Sequence, residues 1–478
     1  MEPTSGRVVA FAAAPDDEMQ ISAPSPAWAE QDPAMWWEQV KAATAKIRAK
    51  AGFLLREIAA IGISYQMHGL VVIDRDQRVL RPAIIWCDSR AVEIGARAFQ
   101  ALGPATCREC LLNSPGNFTA SKLKWVSEHE PEVFPLIDKM LLPGDYIALK
   151  MTGEACTTPG GLSEGILWDY RQQDVAAEVL EYYAIPRAMI PRIVPTFAFQ
   201  GSLTRRAAEE LGLAPGIPVT YRAGDQSNNA WALNVREPGE VAATAGTSGV
   251  IYGIQDAPQP DPLSRVNVFL HVNHTPARPR YGALLCVNGA GILNRWVKQY
   301  LTSLSYEGIN ALAAQAPVGA DGLICLPYGN GAERTLDNRD IGASLHGLNL
   351  KIHTNAHILR AAQEGVAFAM HYGLEIMRSM GIAPAIIRAG YTNMFLSPVF
   401  AETFANVTAT SVELFDTDGA QGAARGAGVG AGVYANPDEA FVGLRHMRTI
   451  APDHSAPEQY RAAYKRWHTQ LNINLGKR

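Results

Sequence analysis

Asp225 ends an apolar run, "IPVTYRAGD", directly after Gly224 and ahead of "QSNNAWAL". A carboxylate at such a junction has two uses. As a helix N-cap it accepts from backbone N–H groups, the commonest role of Asp in that place. As a general base it takes the proton of a bound hydroxyl while that oxygen attacks phosphorus. Further along, "TAGTSG", Thr244 to Gly249, supplies a turn suited to an anion. Gly246 and Gly249 carry no Cβ, so backbone N–H groups can converge on a phosphate, and Thr247 and Ser248 add hydroxyl donors. The same letters also make an ordinary hairpin, and the Gly-Lys-Ser/Thr ending of a P-loop is missing.

Other polar residues fall at expected strand ends. "GISYQMHGL" sets Gln66, Met67 and His68 beside Gly69. A strand histidine is more often a satisfied core residue, yet the glycine lets a small polar ligand come close. "IIWCDSR" adds Asp88 and Arg90, either a surface ion pair of small energetic weight or a polar rim for a polyol. Arg388 to Gly390, "RAG", follow the apolar "AII". Gly426 and Gly428 form a GxG-like pattern inside a helical segment, with no third glycine in register, which predicts close helix packing rather than a dinucleotide fingerprint. Cys107 and Cys110 form one Cys-x-x-Cys without a second pair, and His271 and His274 lack a companion acid in a helix, so no metal site is expected from either.

These residues need elements to hold them. "DPAMWWEQVKAATAKIRAKAG" reads as N-cap Asp32, first-turn Pro33 and an amphipathic helix with Trp36, Val40, Ala43 and Ile47 on its buried stripe, closed by Gly52. "IAAIGISY" predicts a buried strand, and "GLVVIDRDQRVLRPAIIW" two extended runs joined at Asp76 and Gln77. "TRRAAEELGL" before "IPVTYRAGD" is a helix–strand unit. "EVAATAGTSGVIYG" gives strand, turn, strand, and "GAQGAARGAGVGAGVYA" a helix of small residues. The apolar run from Val8 to Ala14 is too weakly flanked for a secretory signal and predicts a strand.

At 478 residues the chain exceeds the roughly 250–300 residues of one hydrophobic core, so two domains are expected. Proline, glycine and charge in "NVREPGE" place their joint near residues 234–240, giving domains of 1–234 and 235–478. A formal charge of −4 without long like-sign blocks points away from nucleic acid or an acidic membrane surface. No uninterrupted apolar stretch is long enough to span a bilayer. Six dispersed cysteines fit reduced thiols in a cytoplasm.

Taken in order, "PAWAEQDPAMWWEQV", "IGISYQMHGL", "RPAIIWCDSR", "DKMLLPGDYIALKMTGE", "GDQSNNA", "ATAGTSGV", "LPYGNGAERTLDNRDIGASLHGL" and "DTDGAQGAARGAG" resemble the motifs of the FGGY carbohydrate kinases over almost the whole chain. The resemblance implies an α/β protein of two ribonuclease H-like domains, of the actin, hexokinase and Hsp70 type, around a cleft. It implies ATP and Mg²⁺ as cofactors, a small sugar as partner and, as is frequent among the relatives, a homodimer. Asp225 then matches the general base. Gln66, Met67, His68, Gly69, Asp88, Arg90 and Asn228 fall with substrate contacts; Gly246, Thr247 and Ser248 match a phosphate loop; Gly390 and Asn393 lie where the adenosine loop runs. Gly331, Glu333 and Arg334 match a supporting turn.

Within the family the resemblance points to D-xylulose, phosphorylated on O5. Kinases of ribulose, gluconate or glycerol are the near alternatives. The chain also departs from the pattern in two places. The family's opening hairpin, whose Asp-x-Gly-Thr/Ser turn holds Mg²⁺ and phosphates, is not in this sequence, and "SGRVVAFAAAP" resembles the strand after it. Arg388 and Ala389 stand where a glycine-rich turn is usual. The first departure keeps a weak or inactive sugar-binding pseudokinase as the competing expectation.

Overall fold

The computed structural model describes residues 1–50, 57–455 and 457–477. Gly52, expected to close the first helix, lies outside them. The chain forms two compact units. One comprises 1–234, 269–280 and 418–444; the other comprises 235–268, 281–417 and 445–478. The first crossing falls between Asn234 and Val235. The expected undivided 235–478 half is corrected: two later segments belong with the first unit.

In the first unit the helix Pro33–Lys50 starts where Asp32 Oδ1 accepts the Ala34 N–H at 2.9 Å, and it buries Trp36 and Trp37. The strand Ile61–Tyr65 runs parallel to Val219–Gly224, in a register that sets Tyr65 opposite Gly224. Both strands end together, and Asp225 begins the next helix, Asp225–Ala232. The helix Gly419–Gly430 lies against this pair. A Cβ on Gly426 would come within 2.5 Å of the Tyr221 ring, and one on Gly62 within 2.0 Å of the Ala423 carbonyl oxygen. Small residues are therefore required for contact, the use expected for this glycine-rich segment.

Among the described residues every sheet of the first unit has two strands. The Val8–Ala14 run is not one of them, which corrects the expected strand. Val8, Val9 and Phe11 are 41%, 36% and 56% exposed. An apolar run becomes a strand only with a neighbour to complete its backbone hydrogen bonds.

The second unit is organised differently. Its sheet has seven strands in the order Asn267–Leu270, Tyr281–Val287, Gly249–Gln255, Val241–Ala245, Ile386–Gly390, Ser411–Asp416 and Arg445–Ile450. The chain leaves this unit within the first of these. Gly249–Gln255 is buried along its whole length, as a strand covered on both faces must be. The 25-residue helix Asn355–Ser379 packs along the sheet and is buried over most of its length.

Candidate active site

Asp225 follows a fully buried strand and precedes Gln226, whose Nε2 donates to Asp225 Oδ2 at 3.1 Å. The N-cap position belongs to Gly224, without a side-chain cap bond; the capping role considered for Asp225 is thereby corrected. Burial pushes its carboxyl up to about 6, against hydrogen bonds that pull it down. An edge of the residue remains partly exposed. A carboxylate with that proton affinity is matched to general-base work near neutral pH.

Opposite it, the chain turns after Tyr65. His68 adopts a left-handed φ of 62°, a conformation rare outside glycine. Its ring Nδ1 lies 2.9 Å from the Glu164 carbonyl oxygen, and the ring packs edge-on against Phe118. Lys122 is fully buried beneath this turn, with Nζ donating to the carbonyls of His68 and Ile85, both at 2.9 Å. Desolvation lowers its ammonium to about 7. Met67 is buried, and the Gln66 amide oxygen has no hydrogen-bond partner.

Gly69 makes room for Pro143, whose Cγ a Cβ there would meet at 2.5 Å. Asp88 and Arg90 differ from the expectation. Asp88 Oδ2 accepts from Ala29 N at 2.6 Å and lies 2.7 Å from Arg90 Nη2. Arg90 also pairs with Glu30 at 2.8 Å and stacks over Trp28 and Trp125. With side chains 0% and 1% exposed, the two form neither a surface pair nor a polyol rim; they brace the loop. Asn228 is likewise internal, donating to Gly419 O at 2.8 Å and accepting from Tyr221 Oη at 3.2 Å.

In the second unit, Val241–Ala245 and Gly249–Gln255 form an antiparallel hairpin whose turn is Gly246, Thr247 and Ser248. The Ile292 N–H donates to Thr247 O at 3.0 Å, docking the start of the helix Gly291–Tyr300 on the turn. A Cβ on Gly246 would find only Asn393 Nδ2, at 3.5 Å, whereas one on Gly249 would press Met370 at 3.0 Å. Gly246 therefore leaves space, and Gly249 serves the core. Asn393, with φ 53°, opens the short turn after the strand that ends at Gly390. Arg388 makes ion pairs with Glu240 at 3.5 Å and Glu413 at 3.7 Å on the sheet.

Glu333 is fully buried and accepts from Asn288 N at 3.0 Å and Gly289 N at 3.1 Å. It holds the bend before Gly291, and burial raises its carboxyl to about 7. Arg334 donates to Asn267.

The model for the FGGY family of carbohydrate kinases, N-terminal domain, matches residues 4–231, and that for the C-terminal domain matches 241–435. The chain belongs to the FGGY family of carbohydrate kinases. It is 31% identical to "Xylulose kinase" of Escherichia coli (strain K12), over 96% of this chain and 92% of that protein. Against "L-xylulose/3-keto-L-gulonate kinase" of the same organism the identity is 29%, over 93% and 89%. The crystal structure of a xyloylose kinase from Brucella ovis superposes with a TM-score of 0.86 at 28% identity, covering 95% of this chain and 93% of that one. A gluconate kinase from Lactobacillus acidophilus, 21% identical with a TM-score of 0.86, covers 96% and 92% and shows the shared fold alone.

As an FGGY kinase the chain has the two-domain α/β fold of the actin and hexokinase type and is a phosphotransferase with an alcohol acceptor. Family membership implies a sugar and ATP as its substrates. The Gly246–Ser248 turn fits a phosphate, since it offers backbone, two hydroxyls and open space at Gly246. Mg²⁺ bound with nucleotide needs only one or two carboxylates. The described residues contain no group of three or more His, Cys, Asp or Glu suited to a metal. No helix among them is long and apolar enough to cross a membrane.

Several residues that shape the site escaped sequence reasoning: Lys122, Glu164, and the pair Arg222 and Asp145, joined at 3.0 Å and almost wholly buried. A charged residue inside an otherwise apolar strand, as in "PVTYRAG", is the signal that would have found Arg222.

Proposed function

We propose that this FGGY kinase transfers the γ-phosphoryl group of ATP to the O5 hydroxyl of D-xylulose, with Asp225 as general base. The observation that carries the assignment is the Asp225 carboxyl, raised to about 6 at the joint end of two parallel strands. The 1–234 segment supplies the sugar contacts, with Gln66, Met67 and His68 at the neighbouring strand end. The second unit supplies the nucleotide contacts through Gly246, Thr247, Ser248, Gly390 and Asn393.

The O5–phosphorus bond forms as the bond from phosphorus to the β,γ-bridging oxygen breaks, ADP leaves, and the O5 proton passes to Asp225. Little covalent help is needed for phosphoryl transfer, so rate comes from alignment and from offsetting phosphate charge. The relatives at 29–31% identity, a xylulose kinase and an L-xylulose/3-keto-L-gulonate kinase, favour a xylulose as acceptor. The six free cysteines and the use of ATP agree with a cytoplasmic enzyme.

ADP release measured across xylulose, ribulose, gluconate and glycerol is expected to be fastest with xylulose. Asp225→Ala should lower kcat by roughly 10²–10⁴ with a smaller change in sugar affinity. An unchanged kcat refutes the base, and a faster alternative acceptor refutes the sugar.

A further inference from the structure

Glu164 has no part in the chemistry above, yet it touches both strand ends that carry the site. It is the last residue of the helix Pro159–Glu164 and is 3% exposed. Its carbonyl oxygen receives the His68 ring at 2.9 Å. Its side chain is hydrogen-bonded by the Tyr65 hydroxyl. Glu164 Oε2 lies so close over Gly224 that a Cβ there would meet it at 2.3 Å, and Met67 Cγ closes the same space at 2.6 Å. Oε1 is buried without a hydrogen-bond partner.

We propose that Glu164 is a positioning residue for Asp225, fixing the start of the Asp225 helix against the Met67–His68 turn. This rests on Asp225 being the general base. The contacts explain why Gly224 must be glycine: the carboxyl of Glu164 occupies the place of its side chain. They also give the left-handed His68 its second anchor, beside Lys122.

The groups facing Glu164 are Tyr65, His68, Asp145 and Asp225; Arg222, whose charge acts on Tyr65, is engaged with Asp145, and Lys122 with the His68 carbonyl. A buried carboxyl with one bare oxygen and carboxylate neighbours keeps its proton. Desolvation first, then Asp225 and Asp145, push Glu164 well above the usual range. Burial thus acts on both neighbouring carboxyls, and the bare oxygen of Glu164 favours its neutral form. The pair titrates as a unit, and the neutral acid lets Asp225 carry its charge without a second anion against it.

The test compares pH profiles of kcat/KM for wild type, Glu164→Gln, Glu164→Ala, Asp225→Asn and the Glu164→Ala/Asp225→Asn double variant. Glu164→Gln preserves shape and neutrality, so its kcat and its acid limb near pH 6 should match wild type. Glu164→Ala should lose about 10–100-fold in kcat, the scale of a misplaced catalytic group, and add nothing once Asp225 is Asn. An acid limb that moves downward in Glu164→Gln would show a charged Glu164 and overturn the proposal, even if Glu164→Ala fails to fold. Losses in Glu164→Ala that simply multiply with those of Asp225→Asn would also overturn it. Should Asp225→Asn keep wild-type kcat, the base assignment fails; should it be inactive while both Glu164 variants match wild type, the positioning role alone fails.

Discussion

The two units solve the same problem, holding polar residues at strand ends, by different means. The second unit does it with a seven-stranded ladder in which each strand has neighbours over most of its length. Among its described charges, Arg360–Glu364 and Arg265–Asp261 span four residues, Arg388 joins Glu240 and Glu413 across strands already paired, and buried Glu333 reaches Asn288 and Gly289. In the first unit the central sheet is a single parallel pair, and buried charges join distant segments: Arg222 to Asp145, Arg90 to Glu30, Lys122 to the His68 carbonyl. Where backbone pairing is sparse, side-chain charge takes over the connection. Such links are sensitive to loss of one partner, because the other is left buried and unpaired.

That contrast can be broken most directly at Asp145. Asp145→Ala strands the Arg222 guanidinium and should cost roughly 3–5 kcal/mol. Hydrogen exchange resolved by segment is expected to show the loss in the first unit, with protection of Gly249–Gln255 unchanged; equal loss in both would erase the distinction. Glu333→Ala is the counterpart in the second unit. It leaves the buried N–H groups of Asn288 and Gly289 without their acceptor, and should cost about 2 kcal/mol or more, read by urea unfolding.

Asp225 sharpens the comparison through pH. Its raised proton affinity means the folded state binds that proton more tightly than the unfolded one. Stability from this group therefore falls as pH rises from the ordinary value of 3.8 to about 6 and is level above that. Activity runs the other way, rising through about 6 as the carboxylate forms. Asp225→Asn should match wild-type Tm near pH 4 and exceed it at pH 8; a constant difference across that range would contradict the shift. The smallest effect is expected at Gly246→Ala. Open space there predicts an unchanged Tm and a KM for ATP raised several-fold, whereas a lowered Tm would make the turn structural.

Much of the local architecture was legible because it depends on near neighbours. The Pro33 helix start, the Val241–Gln255 hairpin and the Asp225 strand end follow from capping, turn and periodicity rules over a few residues. What the sequence could not show is long-range pairing. The Val8–Ala14 run has strand composition, but strand formation depends on a partner elsewhere in the chain. Asp88 and Arg90 are near in sequence, yet their burial is decided by Ala29, Glu30, Trp28 and Trp125. Glycines were legible as small and not by purpose: Gly69 answers to Pro143, Gly224 to Glu164, and Gly246 to open space.

The helix Gly419–Gly430 packs on strands that are synthesised hundreds of residues earlier. During translation the amino-terminal unit must wait for this late piece, so its hydrophobic strand surface stays uncovered until residues 419–430 have been made. A shortened messenger ending before codon 418 would release a product with that surface bare, a target for chaperones and proteases rather than a small stable domain.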